Sequence, residues 1–474
     1  MVLEVPAACK KLARTLEIYF SFVADLCAAG QRNDRFCYAD VEHALAMAAA
    51  QLEQDAHALV LRSMARDEPR LLIGGVAHRV LLASEATYYT RTGPVSVSRC
   101  LYRSLDEAQG SVDPIALRIG AVRGYWCPAT AAAMAFLVQQ GTVREAEHTA
   151  QQLGVLPYSD TSFHRVTHAV GTLYQTQREA VEEQLIAAYQ VPARATGITV
   201  SLDRAAVPME EPRARPRGRP KKGAAKRPVS RVWHMAYCAT VTLHDAQGEK
   251  VHTIRYGRMP QGDTTSLVSA LFADVQSLRR QRPDLLVEVL CDGAAELWNL
   301  LETEFTQEAL GTALRRLVDL WHLLEKVGKA YRCRYDEQRT SMEMQRWKMR
   351  LLNHSHAAAE LQAALEPMLA RRAPRTGDDK DAVDEAVTFV RNQRKAGRMD
   401  YAAARRAGQP VGSGAVEATC KSMIGVRFKR AGARWKEDTA AAVLELRALN
   451  LSDRWNLAMD LLLGQNGADV RRAA

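Results

Sequence analysis

Apolar residues recur at spacings of three and four from Lys11 to Ala28 and from Val41 to Arg66, with charges between them, and this predicts two packing helices. The period then changes. Leu71 to Ser104 is rich in β-formers, and TYYTRTGPVSVSRCLYRS predicts two alternating strands joined as a hairpin at Thr92-Gly93-Pro94. Helical spacing returns between Pro128 and Gln190. There, Arg144 to Leu153, a turn at Gly154, and Thr161 to Val170 have the outline of a helix-turn-helix, which DNA readers share with ordinary helical bundles.

After Pro192 the pattern becomes that of an α/β domain. Strands are predicted at Ile198–Leu202, Val232–Leu243 and Val251–Tyr256, followed by an amphipathic helix over Thr264–Arg280. Leu285 to Cys291 is a short apolar run interrupted once by Glu288 and bounded by turn residues, as expected of a buried strand. A helix over Ala295–Phe305, a strand over Arg316–Val318 and a helix over Trp321–Tyr331 follow. Cys333 to Arg406 reads as all-helical, and Gly412-Ser413-Gly414 breaks the pattern before a helix from Ala415. Three strands, a helix, a strand and further αβ is the order of a ribonuclease-H-like domain.

The expected fold is therefore multidomain α+β. A helical and β-hairpin N-terminal DNA-binding region (1–127) precedes a helical, helix-turn-helix-like region (128–192). A ribonuclease-H-like α/β catalytic core follows in two parts (193–332 and 411–474), separated by an all-helical insertion (333–410).

At 474 residues with 47% hydrophobic and 25% charged positions, the chain is long enough for about three domains stabilised by burial alone, which excludes fibrous and disordered classes. The longest near-apolar run, Ala129 to Val138, is too short to span a bilayer, and no export signal is visible, so no membrane partner is expected. Nine scattered cysteines without a CxxC pair read as reduced cytoplasmic thiols and exclude an ordinary structural zinc site. His164 and His168 stand four apart, but Arg165 occupies the place where a zincin needs Glu, so neither is assigned a function.

Charge is concentrated. Arg213 to Arg231 carries nine Lys or Arg and no acid, in a chain whose net charge is +10. Its centre, Pro216-Arg217-Gly218-Arg219-Pro220-Lys221-Lys222, resembles an AT-hook, where Gly allows close approach to the minor-groove floor and arginine suits the narrow groove of A·T tracts. A solvated basic loop is the other reading of this segment. Both favour a polyanionic partner.

The acids fall at telling places. Asp203 is expected to end the first strand and Asp292 to end the fourth, which in this sheet order lies beside the first, while Glu417 sits one short turn into the helix after Gly412-Ser413-Gly414. Clustered carboxylates repel unless cations neutralise them, and Mg²⁺ prefers such hard oxygen ligands. Two ions bracketing a phosphate would catalyse phosphodiester transfer. Asp319 and His322 add a candidate proton shuttle or phosphate donor, the alternative being a structural His held by Asp319. Lys421, Arg427, Lys429, Arg430, Arg434 and Lys436, with Phe428 and Trp435 among them, would clamp a strand by phosphate contacts and stacking, with Trp435 open to a core role.

Four blocks carry a resemblance: SLDRAAVPM, LCDGAAELWNLLETEF, LVDLWHLLEKV and VGSGAVEATCKSMIGVRFKRAGARW. They resemble the DDE transposases of the Mutator-like superfamily, particularly bacterial insertion-sequence transposases of the ISKra type, over roughly Tyr89 to Trp455. The resemblance implies Asp203, Asp292 and Glu417 as ligands of Mg²⁺ or Mn²⁺, in two ions. It also implies DNA as partner, at transposon ends and target, and a homo-oligomer in a synaptic complex within a bacterial, nucleoid-associated cytoplasmic setting. It further implies that Cys333 to Arg406 is the helical insertion preceding the Glu. One departure stands out: the group carries Asp-Gly at the first acid, and here Arg204 follows Asp203. A catalytically inactive or domesticated DNA-binding derivative is therefore the alternative reading, and a structure-specific nuclease that never joins strands is a third.

Overall fold

Alternation along 197–209 commits successive side chains to opposite faces of one sheet, and the two faces differ in chemistry. The computed structural model describes residues 6–31, 37–105, 110–211, 232–260, 264–370, 377–464 and 467–473. Arg217, Gly218, Arg219, Lys221 and Lys222 of the AT-hook-like arm lie outside the described residues. The chain forms two compact units, residues 1–181 with 455–474, and residues 182–454. The architecture is multidomain α+β with many helices. No helix among the described residues is long and apolar enough to cross a membrane.

In the first unit, α1 (Lys10–Gln31) and α2 (Tyr38–Ser63) precede β1 (Arg70–Ile73), β2 (Val76–Thr90) and β3 (Gly93–Ser104). These strands form an antiparallel sheet in the order β3-β2-β1, with β9 (Val470–Arg472, the last element of the chain) on the edge of β1. The hairpin turn is one step earlier than the sequence suggests. Thr90 pairs with Gly93, leaving Arg91-Thr92 as a two-residue loop closed by the Thr90 hydroxyl donating to Gly93 O at 2.8 Å. The short α3 (Pro114–Arg118) is capped by Asp113, and α4 (Pro128–Gln140) follows. The predicted helix pair appears as α5 (Val143–Gln152), opened by a Thr142/Glu145 capping box, and α6 (Asp160–Ala188).

The second unit is built on a mixed five-stranded sheet in the order β6-β5-β4-β7-β8. Its strands are β4 (Gly197–Met209), β5 (Val232–His244), β6 (Lys250–Arg258), β7 (Leu286–Cys291) and β8 (Leu314–Val318). β4, β5 and β6 are antiparallel neighbours, whereas β7 and β8 run parallel to β4. This order is compatible with a ribonuclease-H-like core. One face carries Ile198, Val200 and Leu202 of β4 with Val241, Ile254, Tyr256, Val287 and Val289. It packs on α7 (Thr264–Gln281) and α8 (Ala295–Leu301), whose Leu271, Val275, Leu297 and Trp298 are fully buried.

The opposite face presents Thr199, Ser201 and Asp203 of β4, and Thr242 and Thr240 of β5. Beyond β8, which follows the four-residue α9 (Gln307–Leu310), comes α10 (Leu320–Arg332). It shares a second core with α11 (Glu337–Asn353), α12 (Ala357–Ala370), α13 (Gly377–Lys395) and α14 (Tyr401–Arg406), where Trp347 Nε1 donates to Tyr331 Oη at 2.8 Å. The Glu-bearing helix α15 (Gly414–Cys420) runs into a π-helical turn (Lys421–Gly425) and α16 (Val426–Phe428), and α17 (Glu437–Leu451) packs on β6. α18 (Trp455–Met459) returns the chain to the first unit.

Asp203 does not end its strand. β4 continues six residues further to Met209, because Ala205, Val207 and Met209 keep pairing with β5 after β7 has stopped.

The polar face includes one acid that the site does not use. Glu288 is fully buried on β7 opposite Thr199, and burial pushes its carboxyl well above the usual range. The folded state thus binds a proton that the unfolded chain releases near its ordinary value of about 4.3. Stability from this group is full below that value and falls as pH rises toward the folded one. Glu288→Gln should remove this dependence, so the urea midpoint of the parent protein should fall relative to the variant's as pH rises above the ordinary carboxyl value of about 4.3. Parallel curves would contradict it.

Candidate functional site

Strand register brings the first two acids together. The last β4–β7 pair is Val200 with Val289, and Asp203 and Asp292 each stand three residues beyond it. They therefore occupy the same level of adjacent parallel strands. β7 and β8 extend the row: Cys291 pairs with Val318, and the Asp319 amide donates to Cys291 O at 2.8 Å, so Asp319 stands level with Asp292. Three aspartates thus share one rung, at the C-terminal ends of β7 and β8 and beside the part of β4 that continues past them, where open sheets place ligands.

Each plays a different local part. Asp203 Oδ1 accepts the Arg204 amide at 2.7 Å, and burial raises its carboxyl, with the Asp292 and Glu417 charges adding to the rise. Asp292 Oδ1 accepts the Ala294 amide at 2.9 Å, which turns the chain into α8, while Trp298 Nε1 fixes the Asp292 carbonyl at 2.7 Å. A Cβ at Gly293 would run into the Phe389 ring of α13, so any larger residue after Asp292 would require that ring to move. Asp319 is 0% exposed. It caps α10 by accepting the His322 amide at 2.8 Å, and its other oxygen accepts the Ser413 amide. Burial alone would raise its carboxyl, but the His322 side chain, with the Ser413 and His322 amides, holds it down at about 2.

That second bond carries Glu417 to the site. Ser413 precedes α15, its hydroxyl donates to Glu417 Oε1 at 3.3 Å, and Gly412 lies so close to Trp321 that a Cβ would meet the indole at 2.9 Å. α15 packs across β4 and β5 on the polar face, which puts Glu417 on the Asp203 side of the sheet. His322 completes the arrangement, with Nδ1 3.3 Å from Asp319 and 3.9 Å from Glu417. The Asp319 partner, aided by the Glu417 and Asp292 charges, raises the imidazole to about 9.

Among the described residues, Asp319, His322 and Glu417 are a group whose ligand atoms all lie within 4.8 Å, close enough to hold a cation. It differs from the predicted trio by two members. Asp319 has both oxygens engaged by backbone amides, and His322 is a cation itself at neutral pH, so these two offset one another and leave Glu417 as the member with an uncompensated charge. Asp203, Asp292 and Glu417 offer hard carboxylate oxygens in mutual repulsion, the donor chemistry that suits Mg²⁺ or Mn²⁺.

No family model matches the chain, and no curated protein matches it. Among solved structures, the Drosophila P element transposase strand transfer complex is similar to 68% of this chain over 92% of its own, at 10% identity and a TM-score of 0.32.

Arg204, the departure noted in the sequence, is turned away from the acids. It pairs with Tyr237 across β4 and β5, and its guanidinium forms an ion pair with Glu296 of α8, which also accepts the Tyr237 hydroxyl. Alternation along the strand accounts for this, since Asp203 and Arg204 project to opposite faces. Arg204→Gly is expected to change metal-dependent cleavage by no more than about threefold and stability by under about 1 kcal/mol, because the ion pair is partly exposed. A loss of a hundredfold in a nicking assay would show that Arg204 reaches the acids.

The basic set divides. Lys421, Lys429, Arg430 and Arg434 are exposed along the π-helical turn and the loop after α16. Arg427 is not: it is 4% exposed, with its guanidinium 4.7 Å over Trp435. Trp435 takes the core role, tilted 4.4 Å from Phe428 and bonded through its backbone to Pro208 and Glu210 at the end of β4. Arg398 likewise packs over Trp298 at 4.0 Å and pairs with Glu302 at 2.7 Å.

Sequence reasoning missed Ser413 and Trp321. A serine four residues before Glu417 was the available signal for the first. Nothing in the periodicity marks the second, which is 53% exposed beside Gly412 with Lys348 4.4 Å over its ring.

Proposed function

We propose that the second unit is the catalytic core of a DNA transposase that cleaves and joins phosphodiester bonds with divalent cations held by Asp203, Asp292 and Glu417. The observation that carries this reading is the shared rung of Asp203 and Asp292 on adjacent parallel strands, with the Glu417 helix crossing the same polar face. The cations, when bound, supply activation of the attacking oxygen and neutralisation of charge on the phosphate. The chain's own residues do the rest. Asp319 orients the Gly412-Ser413-Gly414 segment and thereby Glu417. His322, held between Asp319 and Glu417, is placed to donate a hydrogen bond or proton to a phosphate oxygen at the acids. Lys421 on the turn after α15, and Lys429, Arg430 and Arg434 in the loop after α16, supply exposed cations for the DNA backbone.

Two readouts separate this function from a simple nuclease or a DNA-binding derivative. With DNA from the ends of the element that encodes the chain, the protein in Mg²⁺ or Mn²⁺ should nick the ends and join the released 3′-hydroxyls to a second DNA. Nicking without joining would favour the nuclease, and binding without nicking in either metal would overturn catalysis.

A further inference from the structure

The first unit contains a cleft of about 260 Å³ unrelated to the acids, lined by Thr87, Tyr89, Arg123, Tyr125, Trp126, Tyr158, Ser162 and Arg165. Four aromatic rings form its wall. Tyr89 stacks on Trp126 at 4.4 Å, Tyr158 meets Trp126 edge-on at 4.7 Å, and Tyr125 stands edge-on to Tyr89 at 5.7 Å. The backbone fixes the frame: the Tyr89 and Cys127 amides bond Tyr125 O and Tyr89 O, and the Tyr158 hydroxyl donates to Thr90 O at 2.5 Å. Tyr125 is 40% exposed and is the most open ring of the four.

The rim decides the ligand. A cage of four aromatics alone would suit a quaternary ammonium through cation–π attraction. Here two arginines line the cleft and no acid does, so a cation is repelled. Arg123 sits at the tip of the tight Val122–Trp126 turn with φ 55°, a left-handed conformation that costs energy for any side chain other than glycine. Arg165 projects from the first two turns of α6 and is exposed. Aromatic faces with flanking guanidinium groups fit a planar base attached to phosphate. At about 260 Å³ the cleft is smaller than the roughly 300–1,000 Å³ of clefts for drug-sized ligands, a scale that suits a single base.

We propose that this cleft binds a single unpaired nucleotide of DNA, its base against the tyrosine rings and its neighbouring phosphates on Arg123 and Arg165. A base within a duplex has both faces covered by its neighbours, so the site selects single-stranded or locally unstacked DNA. The choice of DNA over RNA rests on the function proposed above, whereas the nucleotide chemistry does not.

The test uses the full chain in EDTA, so that catalysis plays no part, and fluorescence anisotropy with a labelled short oligothymidylate. Two kinds of variant probe charge and stacking separately: Arg123→Gly with Arg165→Ala, glycine being chosen to suit the left-handed backbone, and Tyr125→Ala at an exposed ring. Each is expected to weaken oligothymidylate binding about tenfold while leaving a blunt duplex of equal length unchanged. The arginine pair should also lower the salt slope by about 1.4, two phosphates at roughly 0.7 each on a single strand. Equal losses on duplex and single strand, unchanged oligothymidylate binding, or displacement of the oligonucleotide by choline would each overturn the site. Tighter binding of oligouridylate than of oligothymidylate would overturn the assignment to DNA.

Discussion

Glu417→Gln and Asp292→Asn are each expected to reduce metal-dependent DNA cleavage by at least about 10³-fold while leaving DNA binding and folding intact. Both substitutions keep the size and shape of the side chain and remove one negative charge. At Asp292 the amide oxygen can still accept the Ala294 amide, so the turn into α8 survives. At Glu417 the oxygen still accepts from Ser413. What is lost is the charge that would hold a divalent cation on the shared rung. Nicking rates, equilibrium DNA affinity in EDTA and a urea midpoint, measured side by side, separate these effects. A cleavage rate within tenfold of the parent for both variants would remove the two acids from the chemistry.

Asp319→Ala has the second-largest expected effect, and it acts differently. Asp319 is fully buried, caps α10, bonds the Ser413 amide and partners His322. Losing the cap costs about 1 kcal/mol and losing a buried charge-assisted bond about 1.5–3 kcal/mol, so the variant should be destabilised by roughly 3 kcal/mol. Because Ser413 leads into α15, the position of Glu417 loosens as well. Cleavage should fall even where the variant is fully folded. Asp319→Asn keeps one acceptor oxygen, enough for the α10 cap, but turns its NH₂ toward the Ser413 amide, so it should recover the share of stability owed to the cap with less of the activity. Equal recovery of both would show that Asp319 acts on folding alone.

Much of the second unit was legible because its signals are local. Strand-like stretches marked β4 to β6 and β8, and a short apolar run bounded by turn residues marked β7. The acids at 203 and 292 could be paired across 89 positions because parallel neighbours need only matching strand levels, which the sheet order supplies. The reach of β4 beyond Asp203 was not legible, since strand length there is set by β5, its partner on the far side. Buried charge was equally opaque: Arg427 reads as a surface cation, yet Trp435 provides a ring for it to stack on, and that pairing depends on a loop whose path has no periodic signature. Asp319 appeared as one half of an Asp-x-x-His spacing, while its bond to Ser413 spans 94 positions. The aromatic cleft lay hidden for the same reason. Tyr89, Trp126 and Tyr158 come from three separate segments, each of which looks by itself like ordinary core.

The most direct measurement is cleavage of an end substrate with sulfur replacing one non-bridging oxygen of the scissile phosphate. Sulfur binds poorly to a hard cation and better to a softer one. If the carboxylates hold cations that contact this phosphate, cleavage in Mg²⁺ should slow by at least about tenfold for one sulfur stereoisomer and recover in Mn²⁺. Equal cleavage of oxygen and sulfur substrates in both metals, or cleavage that persists in EDTA, would contradict a metal-carboxylate site at Asp203, Asp292 and Glu417.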